Sequence, residues 1–138
     1  MSAPTHMVTV AVYDASVDRR RLLAATLYGL GYETVPFDCA SDALEFLHAQ
    51  LVATRPDVVI WQMGSAPHDP CASLRRVLGS GVLAQIGVVV TTPFPTQAIE
   101  ALDEYASKVR MLGTPFSLVD LVRALTAAQR GCRDVTHR

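Results

Sequence analysis

Short apolar runs alternate five times with helical patterns along this chain, and that alternation constrains the fold more than any other feature. Strand-like runs fall at residues 8–13, 33–37, 57–61, 86–91 and 109–112. The run at 86–91 is almost wholly apolar, as a central parallel strand covered on both faces should be. Helical periodicity fills the gaps. A helix is expected over 16–30, with Leu23, Leu27 and Leu30 on one face, stopped by Gly31. A second is expected from an N-cap at Ser41 to Ala53, with Leu44, Leu47 and Leu51 inward. A third, short one is expected over 71–78. A fourth, over 96–106 after Pro93-Phe94-Pro95, turns Ile99 and Leu102 inward. The last spans 117–129, with Leu118, Leu121, Val122 and Leu125 at i, i+3, i+4 and i+7, and Gly131 ending it. Alternating strands and helices predict an α/β fold with a parallel sheet between helical layers. Five strands at this spacing suggest a flavodoxin-like three-layer sandwich of order 2-1-3-4-5 with five helices.

With 138 residues there is room for one domain, expected over 1–131, with 132–138 as a C-terminal tail. Half the residues are hydrophobic and 18% are charged, a globular balance that excludes wholesale disorder. A net charge of −1 gives no electrostatic footprint for nucleic acid. The apolar stretches fall short of the roughly 20 residues a membrane helix needs, so no membrane partner is expected. The opening MSAPTHM lacks the order of a secretory signal. Cys39, Cys71 and Cys132 are odd in number and unpaired in spacing, which argues against a disulfide scaffold or a structural zinc site. A cytoplasmic setting, with no cofactor and no metal, is the expectation.

In such a sheet the chemistry gathers beyond the carboxyl ends of the strands. The residues there are Asp14, Ala15 and Ser16 after the first strand, Gln62 to Pro67 after the third, Thr91 and Thr92 after the fourth, and Gly113, Thr114 and Pro115 after the fifth. In RPDVVIWQMGSAP the third strand ends on Gln62, a neutral amide that donates and accepts hydrogen bonds but offers no nucleophilic carboxylate.

Motifs in this order and spacing run nearly the length of the chain: VTVAVYD, LLAATLYGLGYETV, ASDALEFL, RPDVVIWQ, VVVTT and TPFSLVDLVRAL. They resemble the receiver (CheY-like) domain of two-component response regulators. The resemblance implies an acidic pair after strand 1, where Asp14 is followed by Ala15. It implies a phospho-accepting Asp at the end of strand 3, where Gln62 stands. It implies a Thr or Ser after strand 4, kept as Thr91, and a Lys before Pro-Phe, replaced by Thr114. An aromatic switch residue is replaced by Met111, and the loop before Pro67 runs one residue longer. Phosphoryl transfer needs a nucleophile, a Mg²⁺ held by carboxylates and a cation for the developing charge. Gln62, Ala15 and Thr114 remove these together, which implies an atypical receiver, or pseudo-receiver, that signals without phosphorylation. The resemblance also implies a cis peptide at Thr114-Pro115.

Other readings stay open at this level. Asp14 and Gln62 could pair by hydrogen bond, or both could be solvated loop residues. Cys71, near His68, could be a nucleophile at a helix N-terminus or a structural thiol, and the second is expected. The run Arg19-Arg20-Arg21 could meet a partner or simply be solvated. Lys108, Arg110 and Arg123 are interface candidates on the face of helix 4, strand 5 and helix 5, where receivers commonly dock a signalling protein or a second copy. The expected function is therefore a non-enzymatic module acting by protein–protein contact. The alternative is a sensor holding a small molecule in the pocket of Gln62, Thr91, Thr92 and Thr114.

Overall fold

The computed structural model describes residues 7–14, 16–36, 44–63 and 70–136. Five parallel strands, β1 (Thr9–Tyr13), β2 (Glu33–Pro36), β3 (Val58–Gln62), β4 (Gly87–Thr92) and β5 (Val109–Gly113), form one sheet of order β2-β1-β3-β4-β5. This is the expected flavodoxin-like order. The crossover helices are α1 (Val17–Gly29), α2 (Leu44–Thr54), α3 (Pro70–Gly79) and α4 (Pro95–Ala101), and α5 (Leu118–Thr136) follows β5.

Period-two alternation sorts the strand residues between two cores. Val10, Val12, Val58, Ile60, Val89 and Leu112 pack under α1 and α5, against Leu23, Leu27, Leu121 and Leu125. Ala11, Tyr13, Val59, Trp61, Val88 and Val90 pack under α2, α3 and α4, against Leu51, Leu74, Val77, Ala98 and Leu102. The β4 strand is buried along its whole length, as a strand with helices on both faces must be.

Helix ends follow local chemistry. Ser16 caps α1, its Oγ accepting from the Arg19 amide, and Gly31 at φ +96 takes the left-handed turn that ends the helix. Pro95 stands at the first turn of α4, where its missing N–H costs nothing.

Three expected inward residues are exposed. Leu30 is the C-cap of α1, already past the buried stripe, and the chain turns back so that Tyr32 packs on the core in its place. Ile99 is 51% exposed because α4 buries Ala98 and Leu102, one turn apart, and Ile99 lies about 100° round from Ala98. Leu118 is 53% exposed because the buried stripe of α5 is Leu121, Leu125 and Ala128. Two helix ends also move. The α4 helix stops at Ala101 and gives way to a 3₁₀ turn, Asp103–Tyr105, rather than reaching Ala106. The α5 helix does not stop at Gly131 but continues to Thr136. A glycine inside a helix costs only about 1 kcal/mol, and no proline or left-handed residue follows to break this one.

The expected Ser41 cap, Phe37, Cys39, Ala15 and the loop bearing His68 lie outside the described residues, as do the side chains of Leu44, Leu47 and Cys71. Among the described residues no helix is long and apolar enough to cross a membrane.

Candidate functional site

Register brings the expected residues to one edge. Tyr13 pairs with Trp61, Gln62 with Thr91, and Thr92 with Gly113. Asp14, one step beyond Tyr13, therefore falls in the row of Gln62 and Thr91, at the carboxyl ends of the three central strands. The buried polar side chains among the described residues are Asp14, Thr91 and Thr92, and all three stand here. Thr114 follows directly, its N–H donating to the Thr92 carbonyl at 2.9 Å. The Thr114–Pro115 peptide is cis, as the resemblance implied.

Asp14 does not pair with Gln62. Its Oδ1 accepts from the Ser16 N–H at 2.9 Å, and the Arg19 guanidinium spans both oxygens, with Nε to Oδ2 and Nη2 to Oδ1 each at 3.2 Å. Asp14 is fully buried, whereas the Arg19 side chain is 54% exposed. The physical reason is charge: a guanidinium fork meets a carboxylate with two charge-assisted bonds, which an amide cannot match. The hydrogen bond to Asp14, then the attraction of its charge, raises the Arg19 pKa above the ordinary guanidinium value, against a small opposing effect of burial. Arg20 adds a third tie, its Nη1 donating to the Asp14 carbonyl at 3.1 Å. Two arginines of the run 19–21 thus fasten the β1–α1 connection instead of lying idle in solvent.

Thr91 and Thr92 divide sharply. Thr92 Oγ1 accepts from the Phe94 N–H at 3.0 Å. Thr91 Oγ1 is buried without a hydrogen-bond partner among the described residues. A buried hydroxyl left unpaired costs on the order of 1–3 kcal/mol. A Thr91→Val variant, which keeps the shape and discards the hydroxyl, should therefore gain about 1 kcal/mol of stability in urea unfolding. On the opposite face of the sheet, the rings of Tyr13 and Trp61 stack at 3.8 Å and 11°, walling the edge with aromatic surface. The adjacent last positions of two neighbouring strands were the sequence signal for this stack.

The interface candidates separate. Met111 is half-buried against the core beneath α4. Lys108 donates from Nζ to the Ala84 carbonyl at 3.3 Å and is tied to the turn before β4. Arg110 and Arg123 come together across β5 and α5, at the amino end of the strand and away from Asp14.

Neither a protein-family model nor a curated protein sequence matches the chain. Solved structures do. The signal receiver domain of an HD-domain protein from Pseudomonas fluorescens Pf-5 superposes with a TM-score of 0.76 at 17% identity, over 100% of this chain and 98% of that one. A response-regulator receiver domain protein from Clostridium thermocellum gives 0.72 at 20% identity, over 94% and 99%. The chemotaxis protein CheY4 of Vibrio cholerae gives 0.65 at 20%, over 89% and 99%. The fold is that of a receiver domain.

Proposed function

We propose that this chain is a receiver-like signalling module that works by protein contact and not by a phosphoryl switch. One observation carries the reading: the buried carboxylate at the carboxyl edge is already neutralised from within, by Arg19, while the strand-3 position beside it is the amide of Gln62. The donors among the described residues do not fit the Mg²⁺ that phosphoryl transfer on this fold would use. Both Asp14 oxygens are engaged, and no group of three His, Cys, Asp or Glu side chains among the described residues could hold a metal ion. Mg²⁺ is usually held through one or two free carboxylates plus waters and phosphate oxygens.

Output then rests on a surface. Phe94 at the N-cap of α4, Ile99 on α4, and Leu118 and Val119 at the start of α5 are each half or more exposed. Apolar exposure of this kind suits a protein partner or a second copy of the chain. An amide NMR titration with Mg²⁺ and then beryllofluoride tests the proposal. Signals of Trp61, Gln62 and Thr91 should stay in place. Concerted shifts at ordinary millimolar Mg²⁺, or a stable acyl-phosphate after incubation with a phosphodonor, would show a working phosphorylation site.

The unpartnered hydroxyl of Thr91 favours a second reading, in which a small polar molecule sits beside Gln62, Thr91 and Thr114 and turns the module into a sensor. Metabolites that raise the melting temperature of the parent but not of Thr91→Val would support it. An unmoved melting temperature across a broad screen would remove it.

A further inference from the structure

At the amino end of β5, at the opposite end of the sheet from Asp14, three arginines line one open concavity. Arg110 comes from β5, and Arg123 and Arg130 from α5; Val122, Thr126, Ala127 and Gly131 complete a hollow of about 450 Å³. Among the described residues the lining holds no carboxylate, and none of the three guanidiniums makes an ion pair. Three like charges around one small hollow repel one another until an anion enters.

Gly131 supplies an independent observation. It stands in the interior of α5, where a glycine weakens a helix. A Cβ there would lie 3.4 Å from Arg110 Nη2, so the Arg110 guanidinium rests over the bare backbone of α5. A methyl group at this position would meet the tip of Arg110 at ordinary contact distance and take up part of the hollow. A locally costly residue that opens a charged concavity is a mark of a site rather than of a stability device.

We propose that this hollow binds a small molecule bearing an oligophosphate, of about nucleotide size. Guanidinium forks match phosphate oxygens two at a time. The Cα atoms of Arg123 and Arg130, seven residues apart, stand about 10.5 Å apart along the helix, and Arg110 closes the third side. The hollow lies within the size range of small-ligand sites. Val122 and Ala127 give it an apolar wall against which a base or similar flat group can rest. Thr126 spends its hydroxyl proton on the Val122 carbonyl, so among the described residues the three arginines are the side-chain donors. This site is separate from the carboxyl edge and stands whether or not that edge is phosphorylated.

The test uses the whole chain, with sodium tripolyphosphate and ATP as probes in the absence of divalent metal, and citrate and hexaglutamate as comparisons. Binding is followed by amide NMR and calorimetry at moderate salt. Tripolyphosphate and ATP should move the amides of Arg110 and residues 122–131 and leave Gln62 and Thr91 still. Arg123→Gln and Arg130→Gln, both exposed positions, should each weaken binding about tenfold with little change in melting temperature. Gly131→Ala should raise the melting temperature and weaken binding together, a combination that a purely structural glycine would not give. No shift at millimolar tripolyphosphate, or unchanged affinity in the double arginine variant, would overturn the proposal. Tighter binding of hexaglutamate than of either phosphate would also overturn it, making the hollow a surface for acidic protein segments.

Discussion

Gly87→Ala should destabilise the fold by about 1–3 kcal/mol, with a fall in the melting temperature of about 3–10 °C. Gly87 opens β4 at the point where α5 crosses the sheet. A Cβ built there would lie 2.9 Å from the carbonyl carbon, the carbonyl oxygen and the Cβ of Ala128. Two of those atoms are helix backbone, which cannot swing aside as the tip of a long side chain would. The remedy is to lift α5 from the sheet, and that loosens Leu121 and Leu125, both fully buried. Gly87→Ala combined with Ala128→Gly should recover only part of the loss, because the backbone atoms stay in place. Urea unfolding of the four proteins measures both effects. An unchanged midpoint for Gly87→Ala would mean that α5 does not seat against β4 in this way.

The second large effect is expected at Arg19. Removing one partner of a buried ion pair commonly costs about 3–5 kcal/mol, because the other charge is left buried and uncompensated. Arg19 is half exposed, so water screens part of its interaction, and Arg19→Gln should cost about 1–3 kcal/mol. The raised Arg19 pKa sets the pH dependence of its share. A folded-state value above the unfolded one gives stability that is complete below the ordinary arginine range and is lost only as pH climbs past it. The arginine contribution should thus be flat across ordinary pH. A double-mutant cycle with Asp14→Asn should return a coupling of about 1–2 kcal/mol. Arg19→Gln also frees Asp14 Oδ2 and leaves Oδ1 with its bond from the Ser16 N–H. Millimolar Mg²⁺ should then shift the Ser16 and Gln62 amides in the variant and not in the parent. Equal responses in the two proteins would show that Arg19 does not guard the carboxylate.

The layer order and the strand ends were legible in sequence because both follow from local pattern. Runs such as GVVVTT have nowhere to lie but between two helical layers, and parallel connections place their carboxyl ends together. Asp14, Gln62, Thr91 and Thr114 could therefore be assigned to one edge before any coordinates. Errors arose where a side chain had two places to go. Periodicity put Ile99 and Leu118 in the core, yet α4 and the start of α5 lie at the margin of the sheet, where the stripe narrows to Ala98, Leu102 and Leu121. Gly131 carried a stop signal that nothing around it reinforced. The Arg19–Asp14 pair did leave a trace: Ser16 as N-cap puts Arg19 in the first helical turn, next to the strand end that Asp14 terminates.

The chain by itself determined a five-stranded parallel sheet of order 2-1-3-4-5 and the placing of Asp14, Gln62, Thr91 and Thr114 at its carboxyl edge. Those properties depend on residue identity and on spacings of two and 3.6, which sequence states outright. Tertiary structure alone decided what these residues meet: Arg19 holding Asp14, Thr91 without a hydrogen-bond partner among the described residues, Tyr13 stacked on Trp61, and Arg110 beside Gly131, Arg123 and Arg130. Several of these join residues far apart in the chain, and all depend on strand register, helix rotation and side-chain reach. Such contacts are set by the packing of whole elements and not by any local preference.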